Sequence, residues 1–379
     1  MRSCRTVNEK YIISEHKLMQ TNPNAETSML PEFEYLCGKP NVTGFIKQEA
    51  ADFVVIEDLG FELTGEGEHI FISIRKIGEN TQYVARALAK AAGVSGKDVS
   101  YAGLKDRHAI TEQWFGIHMA GKETPDFSVI ETAQIKILKI VRHNKKLRTG
   151  ALKGNQFTLK LTDLSSIDGL VERLDKIKTI GVPNYFGEQR FGQNGNNIVR
   201  AQAMFAGEKV KDRNKRSFYI SAARSLIFNH VVSERIKQGK WQTAMPGDCF
   251  ILQGSNSFFV EETLTDDIIE RVAQGALQLS APLVGKGNCS ATNEALAFES
   301  SIIAQYPELL EGLIAAGLRQ ERKALILRPQ NFSYQLTEDS LTVSFYLPSG
   351  CFATSVVREL IEEKVVIRHF DQAPTSGTV

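Results

Sequence analysis

Between Tyr101 and Phe115 the chain reads Tyr-Ala-Gly-Leu-Lys-Asp-Arg-His-Ala-Ile-Thr-Glu-Gln-Trp-Phe. Asp106 stands between Lys105 and Arg107, with His108 and the Trp114-Phe115 pair following. Neighbouring cations favour the ionised form of an acid, and an acid so placed can serve as nucleophile or proton shuttle. Gly103 marks a turn or a close backbone approach, the kind of place where a strand ends and presents a side chain to a cleft. The plainer role for such a run is a solvated surface turn, and composition alone favours it.

Other chemistries find less support. The five cysteines, Cys4, Cys37, Cys249, Cys289 and Cys351, form no C-x-x-C pair, and an odd count without a secretory signal points to reduced thiols in the cytoplasm. The seven histidines form no H-E-x-x-H or H-x-H group, so no metal is expected. Gly-Val-Ser-Gly-Lys, residues 93–97, is too short for a phosphate loop, and Gly65-Glu-Gly-Glu-His lacks the third glycine of a dinucleotide fingerprint. No apolar run approaches membrane-spanning length. With Lys+Arg 45 against Asp+Glu 44, the net charge is only +1, so a polyanion must be met by local basic patches.

The elements that must hold Asp106 are legible around it. At 379 residues and 42% hydrophobic, the chain can bury the cores of two or so domains. Residues 1–28 are polar and aperiodic and read as a disordered extension. Asp52 to Glu57 and His69 to Ile74 have strand character, and Lys47 just before them is by residue type a solvated lysine. Asn80-Thr81 predicts the start of a helix carrying Val84, Leu88, Ala91 and Ala92 on one face and ending at Gly93. Ile135 to Val141 predicts a strand, Asp168 to Ile180 an amphipathic helix, and Ser221 to Gln238 another. Leu341, Val343, Phe345 and Leu347 alternate as in a strand, and Phe352 onwards opens a helix.

Two basic runs stand out. Arg142, Lys145, Lys146, Arg148 and Lys153 place five bases and no acid in twelve residues. Lys209, Lys211, Arg213, Lys215 and Arg216 are diluted only by Asp212. Such runs are usually solvated faces, and phosphate contact with RNA is the alternative. Phe157, in alternation with Leu159 and Leu161, is most simply a core residue at a strand start.

Taken together, Gly103-Leu-Lys-Asp-Arg-His-Ala109 with Thr111, Gln113 and Trp114, the Gly154-Asn-Gln-Phe157 element, Val182-Pro-Asn-Tyr-Phe-Gly-Glu-Gln-Arg-Phe-Gly192, and Leu347-Pro-Ser-Gly-Cys-Phe-Ala-Thr-Ser-Val-Val-Arg-Glu359 resemble the tRNA pseudouridine synthase D family. The resemblance runs from about residue 29 to 365. It implies an α+β fold: a mixed-sheet pseudouridine synthase catalytic domain, split into 29–180 and 331–379, with an inserted, family-specific α/β domain at 181–330. It also implies an enzyme that converts uridine 13 of tRNA, in the dihydrouridine arm, to pseudouridine with no cofactor. Asp106 then takes the catalytic role, with Lys47, Asn155, Phe157 and Phe352 as active-site support. Asn155 is expected to hydrogen-bond locally and fix its loop, and Phe157 to contact the target base or pack beside Asp106. Lys105, Arg107, Arg142, Lys145, Lys146, Arg148, Lys153, Lys211, Arg213, Lys215 and Arg216 become RNA-binding candidates on a monomer whose partner is tRNA. No catalytic role is carried onto Asn184, Phe186 or Arg190. The competing class is a non-catalytic RNA-binding or RNA-folding module, which the presence of Asp106 disfavours.

Overall fold

The structure, a computed structural model, describes residues 30–364 apart from Asn256. The expected extension at 1–28 therefore lies outside the described residues. Alternating apolar stretches become strands β1 (Thr43–Ile46), β2 (Phe53–Asp58), β3 (His69–Ile77), β4 (Val99–Tyr101), β5 (Ile110–His118), β6 (Ile135–His143) and β7 (Gly154–Thr162). Helix α1 (Thr81–Ala92) joins β3 to β4. The Asn80 side chain accepts from the Gln82 amide at its start, Gly93 closes it at φ +60°, and Val84 and Leu88 are buried. Helix α2 (Leu170–Ile180) begins two residues later than the sequence suggests, because Gly169, at φ +72°, takes the N-cap.

The chain then builds β8 (Val182–Pro183), α3 (Asn196–Phe205), α4 (Arg213–Lys237), β9 (Cys249–Leu252), β10 (Phe258–Val260), α5 (Asp266–Ala273), β11 (Leu277–Leu283), α6 (Asn293–Ile303), α7 (Pro307–Ala315), β12 (Glu321–Ala324) and β13 (Ile326–Leu327). Strands β10-β9-β11-β12 form their own sheet, and Phe228, Val231 and Val232 of α4 share a core with Phe250, Leu277 and Leu279 from it. Helix α4 starts at Arg213 rather than near Ser221. Asp212 caps it by accepting from the amides of Asn214 and Lys215, so Arg213, Lys215 and Arg216 of the second basic run stand at its start.

Strands β14 (Gln330–Leu336) and β15 (Leu341–Pro348), helix α8 (Ala353–Arg358) and β16 (Glu362–Glu363) return to the first sheet. Its order is β14-β15-β7-β2-β5-β3-β6, with β2 and β5 parallel, so the sheet is mixed. β15 pairs with β7 over eight positions, from Leu341 opposite Leu161 to Pro348 opposite Gly154. The early and late parts of the chain thus share one sheet, which the strands of the middle part do not join.

Residues paired directly across neighbouring strands point to the same face. Three rows follow from the register of β2, β7 and β15: Phe53–Leu159–Val343, Val55–Phe157–Phe345 and Glu57–Asn155–Leu347. The first two rows are apolar and pack under Val356, Val357 and Leu360 from α8 and the residues after it. The third row puts an acid and an amide on that face.

Candidate active site

The segment 102–109, between β4 and β5, carries Asp106, and buried polar side chains grip its backbone. Gln113 donates from Nε2 to the Gly103 carbonyl at 2.7 Å and accepts from Thr81 Oγ1 at 2.9 Å. Thr81 Oγ1 in turn accepts from the Lys105 amide at 3.1 Å. Lys76 Nζ donates to the carbonyls of Asp106, at 3.2 Å, and Glu79, at 2.9 Å. Glu57 completes the set: its Oε1 lies 2.5 Å from Lys105 Nζ, and its Oε2 accepts from the Trp114 amide at 2.7 Å. Buried polar groups of this kind are costly unless paired, so each contact resists movement of the segment.

Lys47 Nζ lies 2.7 Å from Asp106 Oδ2. The Asp106 side chain keeps 39% of its surface exposed and that of Lys47 only 13%, so the acid faces the solvent edge and the cation backs it. Lys47 has φ +62° and holds its ammonium 3.9 Å from the Phe53 ring centroid. A non-glycine residue in that left-handed region costs about 1–3 kcal/mol and persists where the surroundings enforce it, often at functional sites. The field around the segment is uneven. Burial pushes the Glu57 carboxyl above its usual range, opposed by Lys105. Burial also pulls the Lys76 ammonium down to about 8, opposed by Asp106.

The other expected site residues divide. Asn155 lies between Glu57 and Leu347 on the polar row, and its Oδ1 is buried without a hydrogen-bond partner, in place of the expected local bond. Phe157 is 7% exposed, stacked on Phe345 at 5.7 Å and edge-on to Phe53 at 6.2 Å. It is a core residue, reaching Lys47 only through the Phe53 ring, because its place in the alternation of β7 puts it between two apolar neighbours. Phe352 sits half-buried at the N-cap of α8, 5.8 Å from Phe186 and 5.6 Å from the Arg190 guanidinium.

Three of the basic candidates bond within the protein: exposed Arg107 donates from Nε to the Gly78 carbonyl at 3.2 Å, and Lys105 and Arg142 are held more fully. Lys105 turns inward to Glu57, with 11% of its side chain exposed. Arg142 spans the carbonyls of Gly67, Met119 and Lys122 and the Thr124 hydroxyl. Neither is a free phosphate ligand here, because the fold supplies acceptors that the linear sequence does not reveal. Arg107, Lys145, Lys146, Arg148, Lys153, Lys211, Arg213, Lys215 and Arg216 are exposed. A cavity of about 650 Å³ is lined by Arg86, Tyr101, Lys146 and Arg148 and by no carboxylate, and Asp106 is not among its lining residues. Another, of about 680 Å³, is lined by Asp58, Phe61, Trp114 and Lys153 and does not reach Asp106.

Sequence reasoning missed Lys76, Glu57 and Thr81. An acid in the apolar stretch Phe53–Glu57 is a signal that could have found Glu57. Lys76 has no such signal, and Thr81 reads as part of a helix cap.

A family model described as tRNA pseudouridine synthase D (TruD) matches residues 31–211 and 206–360. A tRNA pseudouridine synthase D of Aeromonas salmonicida is 56% identical over 334 residues, covering 88% of this chain and 95% of its own. One from Photobacterium profundum is 46% identical over 340 residues, covering 89% and 97%. In fold, the chain is similar to a crystal structure described as a tRNA pseudouridine synthase D from Methanosarcina mazei, with a TM-score of 0.66 at 20% identity over 88% of this chain and 98% of that one. With both its sequence and its fold matched over most of their length, the chain belongs to the tRNA pseudouridine synthase D (TruD) family.

Proposed function

We propose that this protein is a tRNA pseudouridine synthase that isomerises uridine 13 in the dihydrouridine arm, acting as a cytoplasmic monomer. The reaction breaks the N-glycosidic bond and makes a C-glycosidic bond between the same base and ribose. It involves no net oxidation and needs no cofactor. A uridine stacked in an RNA helix is out of reach, so it must be extruded and held in a pocket. Asp106 acts at the sugar as nucleophile or base, and Lys47 holds the carboxylate in place. The buried Asn155 Oδ1 accepts a hydrogen bond from the extruded base, and Phe352 bounds the pocket at the far end of the polar row. Arg107, Lys145, Lys146, Arg148 and Lys153, with the first turn of α4, hold the RNA backbone.

The observation that carries this reading is the half-exposed Asp106 carboxylate paired with Lys47 on a segment gripped by buried polar groups. A module that only folds RNA needs the basic surfaces but has no use for that pair. Pseudouridine mapping of tRNA incubated with the purified protein tests the reading. Product at position 13 is expected, and tRNA bound tightly without any product would favour the folding module.

A further inference from the structure

Arg190 and Lys323 approach the ring of Phe186 from two different elements, the turn at 188–191 and β12. The guanidinium lies 5.6 Å from the ring centroid and the ammonium 5.1 Å. Arg190 is also 5.6 Å from Phe352, and Lys323 is 5.3 Å from Phe228. Their hydrogen bonds go to neutral groups: Arg190 Nη1 donates to Ser221 Oγ at 3.0 Å, and Lys323 Nζ to the Asn184 carbonyl at 3.3 Å. Neither forms an ion pair with a carboxylate among the described residues. Nearby buried arginines do, Arg235 with Asp248 and Arg322 with Glu299.

Burial pushes the Arg190 guanidinium below its usual range and the Lys323 ammonium down to about 8. Removing a cation from water without an anion is costly. Cation–π contact recovers only part of that cost. Thr354 Oγ1, buried and without a hydrogen-bond partner, faces the same segment, since a Cβ on Gly187 would come within 2.5 Å of it. Arg190, Lys323, Phe186 and Phe352 are all half-buried, so each keeps part of its surface at solvent.

Its place in the fold is specific. Phe352 follows the turn after β15, whose Leu347 ends the row that begins at Glu57, the partner of Lys105. Two strand spacings, about 10 Å, separate Glu57 from Leu347. Phe352, which bounds the proposed base pocket, lies 5.6 Å from the Arg190 guanidinium, so an anion held there neighbours the nucleotide in that pocket.

We propose that Arg190 and Lys323, both held against the ring of Phe186, form a crevice that binds a phosphodiester of the substrate RNA next to the extruded nucleotide. The inference rests on the tRNA pseudouridine synthase reading above. The phosphate supplies the anion that the protein withholds, and it ties the middle part of the chain to the sheet that carries Asp106.

The test uses tRNA or its dihydrouridine-arm stem-loop with single neutral methylphosphonate linkages on either side of the target uridine. With wild-type protein, one of these linkages is expected to weaken binding roughly tenfold, as expected for loss of a charge-assisted contact. Arg190→Gln and Lys323→Gln should each lower the slope of log Kd against log salt by about one and lose most of the sensitivity to that linkage. Equal penalties in wild type and variants, or unchanged salt slopes in variants that melt normally, overturn the crevice. If a variant does not fold, wild-type indifference to both neutral linkages overturns it alone. Pseudouridine formation by wild type on unmodified RNA is measured in parallel. Product together with a failed linkage test removes only the crevice, whereas absence of product removes the synthase reading.

Discussion

Lys105 Nζ sits 2.5 Å from Glu57 Oε1, with the carboxylate fully shielded from water, so the lysine beside Asp106 turns inward and anchors the segment to β2. Breaking a buried pair from one side leaves an uncompensated charge and costs about 3–5 kcal/mol. Lys105→Met is therefore expected to lower the melting temperature and kcat while leaving tRNA affinity nearly unchanged. The double variant Glu57→Leu/Lys105→Met should regain much of the stability, since apolar replacements remove both charges. Thermal unfolding and filter binding on the three proteins check this, and a loss of affinity without a loss of stability would return Lys105 to the RNA surface.

Asp106→Asn keeps the shape of the side chain and removes its charge and nucleophilicity. Release of tritium from tRNA labelled at uridine C5 should fall to background while tRNA binding is largely retained. Turnover close to wild type would remove Asp106 from the chemistry.

The exposed bases of the 142–153 run separate from its first member. Removing Lys145, Lys146 and Arg148 together should lower the salt slope of tRNA binding by about three. Arg142→Gln should leave that slope unchanged and cost about 1–3 kcal/mol of stability, because the guanidinium binds carbonyls of this chain. Salt titrations and urea unfolding of both variants distinguish the two roles.

Phe157 packs against Phe345 and against Phe53, the ring beneath Lys47. Phe157→Ala should cost about 3–5 kcal/mol of folding stability. Phe157→Leu should keep the fold and lower kcat/KM only a few-fold, through the support of Lys47. A loss of roughly ten- to a hundredfold in the leucine variant, with an unchanged melting temperature, is what a direct stacking partner of the base would show.

Lys76 is held down to about 8 from an ordinary 10.5, chiefly by burial. Between those values the unfolded chain binds more protons than the folded one, so this residue makes stability rise with pH across that window. Lys76→Met removes the contribution. The stability of wild type relative to the variant should therefore increase between about pH 8 and about pH 10.5 in urea unfolding. A difference that is constant or shrinks with pH would show that the Lys76 ammonium is not destabilised by burial.

What the sequence by itself determined is what lies close together along the chain. Residues 101–115 carry the acid, its charged neighbours and the wording of the family in one stretch. The alternation at Leu341, Val343, Phe345 and Leu347 reports a strand because side chains in a strand repeat every two residues. Asn80 and Gly93 bound α1 because caps act on backbone groups within one turn. The α+β class and the mixed sheet follow from such local signals joined to the family resemblance. The start of α4 is not legible in the sequence, because the capping Asp212 sits inside a run of bases and reads as part of it.

Only the tertiary structure decided which charges are paired and which face each aromatic occupies. Lys47 meets Asp106 across 59 positions, and Asp106 accepts through its carbonyl from Lys76, 30 positions away. Lys105 and Arg142 carry the same charge as their exposed neighbours, and nothing in their local sequence marks them as occupied. Their acceptors come from strands and turns that reach them only once the sheet has formed. Arg190 and Lys323 show the converse: they converge on Phe186 without an acid because the fold buries them and pairs its nearby carboxylates with other arginines. The period and caps of an element depend on short-range sterics and backbone hydrogen bonds, whereas the partner of a long flexible cation depends on which distant groups folding brings within about 4 Å.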